Sequence, residues 1–132
     1  MSGNGQMQSQ GLGGLAYVAT AAFVAADVGK GVIADASNDC AVVVATANTK
    51  IIGVVTEPVP AGAVGRFQSV RGTSTIVQMS GVCAPGDKLQ ITTGGVFLKA
   101  ASSAQRIAAV AMETATATGD LIEAILVDDY VA

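Results

Sequence analysis

Short apolar segments separated by turn signals fill the chain from residue 40 to its end. Segments such as CAVVVATA (40–47), KLQIT (88–92) and LIEAILV (121–127) are interrupted by Gly, Pro, Asn and Asp. This punctuation, at intervals of about eight to twelve residues, predicts about eight to ten short strands in a barrel or sandwich rather than βαβ units. We therefore predict an all-β fold, a small β-barrel or β-tulip-like domain. Only residues 15–26 and 102–105 suit a helix.

Several segments also carry a predicted orientation or connection. AVGRFQSV (63–70) alternates with Phe67 on one face, and TSTIVQMS (73–80) alternates with Val77 and Met79 on one face. APGD (84–87) predicts a turn, because Pro and Gly suit the dihedral angles that turns require. The segments that follow, KLQIT, TGG and VFLKA, predict a hairpin with a loop that contains glycine.

Two segments of the sequence resemble each other. KIIGVVTEPVPAG (50–62) is similar to RIAAVAMETATATG (106–119), which has one extra residue. Each begins with a basic residue and Ile, continues with apolar residues, reaches Glu57 or Glu113, and ends at a Gly after a break. Either two strands rich in Ala and Val are alike by chance, or the chain contains a repeated strand–turn unit whose two copies face a shared core.

The first fourteen residues, MSGNGQMQSQGLGG, differ in composition from the rest of the chain. They contain five Gly, three Gln and no charged side chain, and their sizeable apolar residues are Met1, Met7 and Leu12. Such a segment buries too little apolar surface to offset the entropy lost on ordering. We predict a flexible N-terminal arm (1–14) before a β-rich domain (15–132). The arm is either a chain end without a role or a segment that becomes ordered on a partner as an added strand.

The composition limits the classes of partner. Charged residues make up only 13% of the chain, against about a quarter in typical domains, which suits a protein that hides surface in an assembly; a sparsely charged monomer is the alternative. The net charge of −3 and the scattered Lys and Arg residues argue against nucleic acid. The longest apolar run is too short for a membrane span, and no basic residue precedes Lys30 as in a secretory signal. We expect a soluble protein synthesised in the cytoplasm.

The residues that usually carry catalysis or bind metal are sparse. GLGGLA (11–16), followed by Asp35, fits a dinucleotide-binding turn, but the polar segment before it cannot form the buried strand that this motif requires. The chain has no His, which removes Ser-His and Cys-His catalysis and the commonest metal ligand. Cys40 and Cys83 are either separate thiols or a disulfide. We predict a non-enzymatic protein without catalytic residues, cofactor or metal.

Residues 28–127 resemble the small phage capsid decoration, or cement, proteins, a broad set that includes lambda-type head decoration proteins. The segments that carry the resemblance are VGKGVIADAS, KIIGVVTEPVPAG, GVCAPGDKLQITTGGVFLKA and RIAAVAMETATATGDLIEAILV. Their shared features are a Gly-Asp turn that leads into an apolar strand, a hairpin, an I-x-x-A-x-E strand, and a second Gly-Asp turn. In this chain those turns are Gly86-Asp87 and Gly119-Asp120.

The resemblance implies a virion component that binds the major capsid protein on the outer surface of the expanded icosahedral head. It would form homo-oligomers, with a trimer favoured, and would clamp neighbouring capsid subunits against the pressure of the packaged DNA. In lambda-type relatives an N-terminal arm pairs with a capsid strand, and here that role falls to the arm, with Met1, Met7 and Leu12 as apolar anchors. In an oligomer, we expect a face of TSTIVQMS or of LIEAILV to contribute.

A second function remains open at the level of sequence, namely a carbohydrate- or host-surface-binding β-domain of a fibre or tail. Such sites usually present aromatic and polar side chains in a cleft. The aromatic residues available for it are Tyr17, Phe23, Phe67, Phe97 and Tyr130.

Overall fold

The computed structural model describes residues 14–69, 72–101 and 105–131, with the backbone alone for residues 14, 15 and 128–131. Within these ranges the chain is all-β, as predicted. Its ten strands are β1 (Gly14–Ala19), β2 (Gly31–Ala34), β3 (Ala41–Val44), β4 (Gly53–Val55), β5 (Val64–Gln68), β6 (Ser74–Gln78), β7 (Lys88–Ile91), β8 (Phe97–Lys99), β9 (Arg106–Ala111) and β10 (Leu121–Val131). The described helices are two single 3-10 turns, Ala25–Asp27 and Thr93–Gly95, and neither could cross a membrane.

The first five strands form a closed barrel in the order β1-β3-β2-β4-β5. Neighbouring strands are antiparallel except where β1 runs parallel to β3, with Val18 opposite Ala41. Side chains of β5 alternate between solvent and core, so Val64 and Arg66 are exposed while Gly65 and Phe67 are buried. This pattern confirms the alternation predicted for AVGRFQSV.

The other five strands form a second sheet in the order β6-β10-β9-β7-β8, antiparallel throughout. Its two edges also meet, through a single parallel bridge between Met79 and Phe97. The predicted hairpin is present as β7 and β8, joined by the turn at Thr93–Gly95. The predicted turn at APGD is also present, and Gly86 has a φ of 90° there, a value that favours glycine.

The two sheets are two copies of one topology. β1, β2, β3, β4 and β5 correspond to β6, β7, β8, β9 and β10, and equivalent strands pair in the same order and direction. The registers also match: Val54 pairs with Gln68 as Val110 pairs with Ile125, which makes Val54 equivalent to Val110 and Gln68 to Ile125. We call residues 14–69 the first half and residues 72–131 the second half.

The loops repeat as well as the strands. An antiparallel bridge joins Phe23 to Val59 in the first half and Cys83 to Ala115 in the second. The N–H of Gly62 donates to the carbonyl of Ala19, as that of Gly119 donates to Met79, each at 2.7 Å. These contacts confirm the repeated strand–turn unit, because KIIGVVTEPVPAG and RIAAVAMETATATG occupy equivalent places.

Each half has its own core, and the larger core extends across both halves. The smaller core fills the first barrel and is mostly Val, with Phe23 and Phe67 in edge-to-face contact at 5.8 Å between ring centroids. The larger core lies in the second half and includes Ala45, Ile51 and Val54 from the first. The two copies of the repeated segment therefore share a core only in part. Val54 packs in the larger core, whereas Val55 packs in the smaller core inside the first barrel.

Backbone hydrogen bonds also join the two halves. The N–H of Gln78, at the end of β6, donates to the carbonyl of Gly29, and the Gln78 side chain donates to the carbonyl of Ala26, both at 2.9 Å. At another point, the N–H of Asn48 donates to the carbonyl of Ile91 at 2.9 Å, and the Asn48 side chain accepts from the N–H of Arg106. These bonds fix the loops of the first half against the second sheet.

The helix expected at residues 15–26 is wrong. Residues through Ala19 form β1, and only Ala25–Asp27 makes a helical turn. β1 obtains its hydrogen bonds from β5 on one side and β3 on the other, and this pairing overrides the modest helix preference of alanine. The second helix candidate falls mostly on residues 102–104, which lie outside the described residues; Gln105 immediately precedes β9.

Candidate interaction surfaces

Two of the carboxylates beside turns hold their own loops together. Asp120 accepts hydrogen bonds from the backbone N–H groups of Thr116 and Ala117, and these bonds lower its pKa below the usual value. Asp35 accepts from the hydroxyl of Thr20, the side chain of Asn38 and the N–H of Ser37, and its pKa is lowered for the same reason. A carboxylate used in this way is a turn cap rather than an acid or base for catalysis.

A second pair of aspartates occupies similar positions in the two halves. Asp27 accepts from the N–H of Val24, and Asp87 accepts from the N–H of Ala84, each at 2.8 Å. Burial opposes ionisation of Asp27, but bonds from Lys30, at 2.9 Å, and from Val24 outweigh it and lower the pKa. Asp87 lies 3.6 Å from the ammonium group of Lys99. These groups cap the loops that lead into β2 and β7.

The described residues do not bring together a catalytic or metal-binding cluster. No group of three His, Cys, Asp or Glu side chains among them could hold a metal ion. Cys40 is exposed and Cys83 is buried, and both are free thiols. GLGGLA leads into a strand rather than a helix, because β1 begins at Gly14. The arrangement that would hold a dinucleotide phosphate is therefore missing in this part of the chain.

Exposed apolar side chains instead define two equivalent surfaces, one on each half. We call Ala16, Thr56, Val64 and Arg66 the first outer face; the second outer face consists of their equivalents, Ile76, Met112, Leu121 and Glu123. All eight side chains are exposed. Ala16 lies opposite Arg66 on β1 and β5, as Ile76 lies opposite Glu123 on β6 and β10. The carbonyl of Arg66 accepts from the Thr56 side chain, and that of Glu123 from the N–H of Met112.

The second outer face joins the two segments expected to contribute to an oligomer. TSTIVQMS forms β6 and LIEAILV forms most of β10, and the two strands pair antiparallel from Ser74–Ile125 to Gln78–Leu121. Val77 and Ile122 point into the core while Ile76 and Leu121 point outward. One continuous face is thus available where the sequence indicated two separate candidates.

A cleft lies beside each of the Phe23–Val59 and Cys83–Ala115 bridges. The first, of about 460 Å³, is lined by Ala22, Phe23, Asp27, Lys30 and Val44. The second, of about 430 Å³, is lined by Val82, Cys83, Asp87, Lys99 and Ala115. Each combines small apolar side chains with one Asp and one Lys. The outer faces and clefts include six of the seven large exposed apolar side chains of the described residues, namely Val44, Val64, Ile76, Val82, Met112 and Leu121. The seventh, Val24, follows Phe23 in the chain.

The anchors predicted in the arm, Met1, Met7 and Leu12, lie outside the described residues. The signals for the outer faces in the sequence were the alternation of AVGRFQSV and of TSTIVQMS and the apolar run of LIEAILV. The repeated segment could have indicated a second, equivalent set of surfaces, but only once the strand order was known. Phe67 and Phe97 are buried and Tyr17 is half-buried. Phe23 lines the first cleft but is only 6% exposed, so it offers little ring surface for stacking against a sugar.

No protein-family model matches this sequence, and no curated protein sequence matches it. Among solved structures, the chain is similar to the N base of the head fibre protein gp8.5 of bacteriophage phi29. The TM-score is 0.69 at 16% identity, and the alignment covers 86% of this chain and 92% of the other. At this level of identity the likeness establishes a shared fold, and a fold does not by itself assign a function.

Proposed function

We propose that this chain is a phage structural protein that decorates the mature head. In this proposal it binds the outer surface of the expanded icosahedral shell, contacts neighbouring major capsid subunits and stabilises the contacts between them. The single observation that carries the proposal is the fold, which extends over nearly all of the base of a phage head fibre. The resemblance to lambda-type decoration proteins remains a prediction from the sequence.

The surfaces of the described residues support a binding role rather than a catalytic one. Their large exposed apolar side chains are concentrated on the two outer faces and at the two clefts. Exposed apolar side chains that lie together, such as Ile76, Met112 and Leu121 on the second outer face, indicate a site of association more strongly than scattered ones do. We assign the protein no catalytic residue, cofactor or metal, and no nucleic-acid or membrane partner.

We propose that the N-terminal segment is the capsid anchor, with Met1, Met7 and Leu12 as its apolar contacts. Residues 1–13 precede β1 and carry no charged side chain. Ordering such a segment costs roughly 1–2 kcal/mol per residue, so a single copy binds weakly. A homo-oligomer, with a trimer favoured, would engage several sites at once, and linked sites can exceed single-site affinity by about 10²–10⁴.

Co-sedimentation with mature capsids that lack the protein tests this proposal. The full chain and a variant without residues 1–13, which keeps all of β1, would be added over a range of concentrations. We expect saturable binding by the full chain and a loss of binding by the truncated chain, with unchanged circular dichroism as the control for folding. Binding by both would move the anchor to the outer faces or clefts, and binding by neither would contradict the decoration role.

A further inference from the structure

The two outer faces carry opposite charges at equivalent positions. Arg66 occupies in the first half the place that Glu123 occupies in the second, each on the outward side of its strand. Neither side chain belongs to a salt bridge within the described part of the chain. A cation and an anion on equivalent, exposed strand positions of one chain are complementary when two copies meet.

The two faces also differ in side-chain size in a complementary way. Around Arg66 the first outer face has the small side chains Ala16 and Thr56, whereas around Glu123 the second has Ile76 and Met112. Ile76 is 44% exposed and Met112 is 48% exposed. Two large side chains on one face therefore match two small side chains on the other.

Both faces are completed by an exposed aliphatic residue at one equivalent position. Val64 is 66% exposed and Leu121 is 53% exposed, and each lies two residues before the charged side chain on its strand. Burying these side chains would contribute favourable free energy at about 25 cal/mol per Å² of apolar surface. The charges would fix the orientation, and the aliphatic side chains would supply the contact.

We propose that copies of this chain associate head to tail, with the first outer face of one copy against the second outer face of the next. In this contact Arg66 of one copy lies against Glu123 of its neighbour. Contacts between two first faces or two second faces are disfavoured, because they would bring Arg66 against Arg66 or Glu123 against Glu123. This contact specifies the interface of the homo-oligomer in the proposed function, but it does not require binding to a capsid.

Head-to-tail contacts close into a ring when the rotation between copies allows it. Because the halves share one topology, such a ring would present each fold unit of one copy beside a similar unit of the next. Each copy uses both faces, so both are buried in a closed ring. A closed ring would therefore cover part of the sparsely charged surface of the chain.

Sedimentation velocity of the isolated full chain tests the interface. The variants are Arg66→Glu, Glu123→Arg, and the double variant that exchanges the two charges. We expect each single variant to weaken association by about a hundredfold or more, because like charges would meet at every contact. The double variant restores opposite charges and should recover the assembly of the natural chain.

Two further samples keep this test specific. Lys50→Glu makes the same change of charge as Arg66→Glu at an exposed position outside both faces, and it should leave the assembly unchanged. An equimolar mixture of the two single variants should associate more strongly than either variant alone, since contacts between unlike variants pair opposite charges. A ring of three copies keeps one contact between like variants, so recovery in a trimer should be partial. Full assembly by either single variant, no recovery in the double variant, or a monomeric natural chain would overturn the proposal. A separate failure to bind capsids would leave it intact.

Discussion

At the scale of single residues, the two halves fill equivalent core positions with side chains of different size. Phe67 in the first half corresponds to Ala124 in the second, while Val42 corresponds to Phe97. Gly65 corresponds to Ile122, and a Cβ built on Gly65 would overlap the methyl groups of Val59. Each core is thus packed by exchanging large and small residues between positions, which obscures the repeat in the sequence.

The aspartate caps make a prediction about pH at this scale. Asp120 has a pKa below its usual value of 3.8 because it accepts from Thr116 and Ala117. Since the pKa is lower in the folded state, its stabilising effect is present above the unfolded pKa and is lost as the pH falls through the folded pKa. Asp120→Ala should therefore lower the Tm near neutral pH, and the difference from the natural chain should narrow in acid.

Thermal unfolding between about pH 7 and about pH 3 measures this narrowing. Asp39→Ala is the matched control, since Asp39 is an exposed loop carboxylate that accepts no hydrogen bond within the described residues. We expect the Tm of Asp39→Ala to differ little from that of the natural chain at every pH in this range. A Tm difference for Asp120→Ala that stays constant on acidification would show that its carboxylate does not act through these hydrogen bonds.

At the scale of elements, the sequence predicted those strands whose signals are local. The hairpin of β7 and β8 and the alternation of β5 follow from turn residues and from period-two patterning. β1 was missed because its partners are the distant strands β5 and β3. β2 is the short segment GVIA (31–34), which is too brief to indicate a strand without its neighbours. The repeated segment indicated the duplication, but two similar strands could not establish the strand order.

Equivalent glycines make a prediction about the junction of the halves. Gly29 and Gly86 have φ angles of 94° and 90° in equivalent loops. A Cβ on Gly29 would lie 2.7 Å from the backbone nitrogen of Gln78, whereas a Cβ on Gly86 would meet nothing within 4 Å. Gly86→Ala should cost about 1–2 kcal/mol for the left-handed conformation, and Gly29→Ala should cost about 1–3 kcal/mol more for the overlap.

Denaturant unfolding of the two glycine variants measures the difference directly. The strain of the backbone is nearly the same at both positions. The difference between the two losses of unfolding free energy therefore reports the packing of the first half against β6. Equal losses of unfolding free energy in the two variants would mean that the halves are not packed as tightly at this junction as described.

At the scale of the whole molecule, the duplication produces two outer faces that are equivalent in the fold but complementary in charge and size. The sequence indicated TSTIVQMS and LIEAILV as candidate contacts, and the fold unites them on one surface. The sequence could not indicate the partner surface, because the equivalence of Arg66 and Glu123 depends on the register of β1 with β5 and of β6 with β10. The low charge of the chain is consistent with a protein whose surface is covered in an assembly.

The most direct test of a stabilising role on the phage head is the temperature at which packaged DNA is released. Mature particles that lack this protein would be heated with a DNA-binding dye, alone and after addition of the full chain or of the chain without residues 1–13. We expect the full chain to raise the release temperature and the truncated chain to leave it unchanged. An identical release temperature with and without bound full chain would contradict a capsid-stabilising role for the protein.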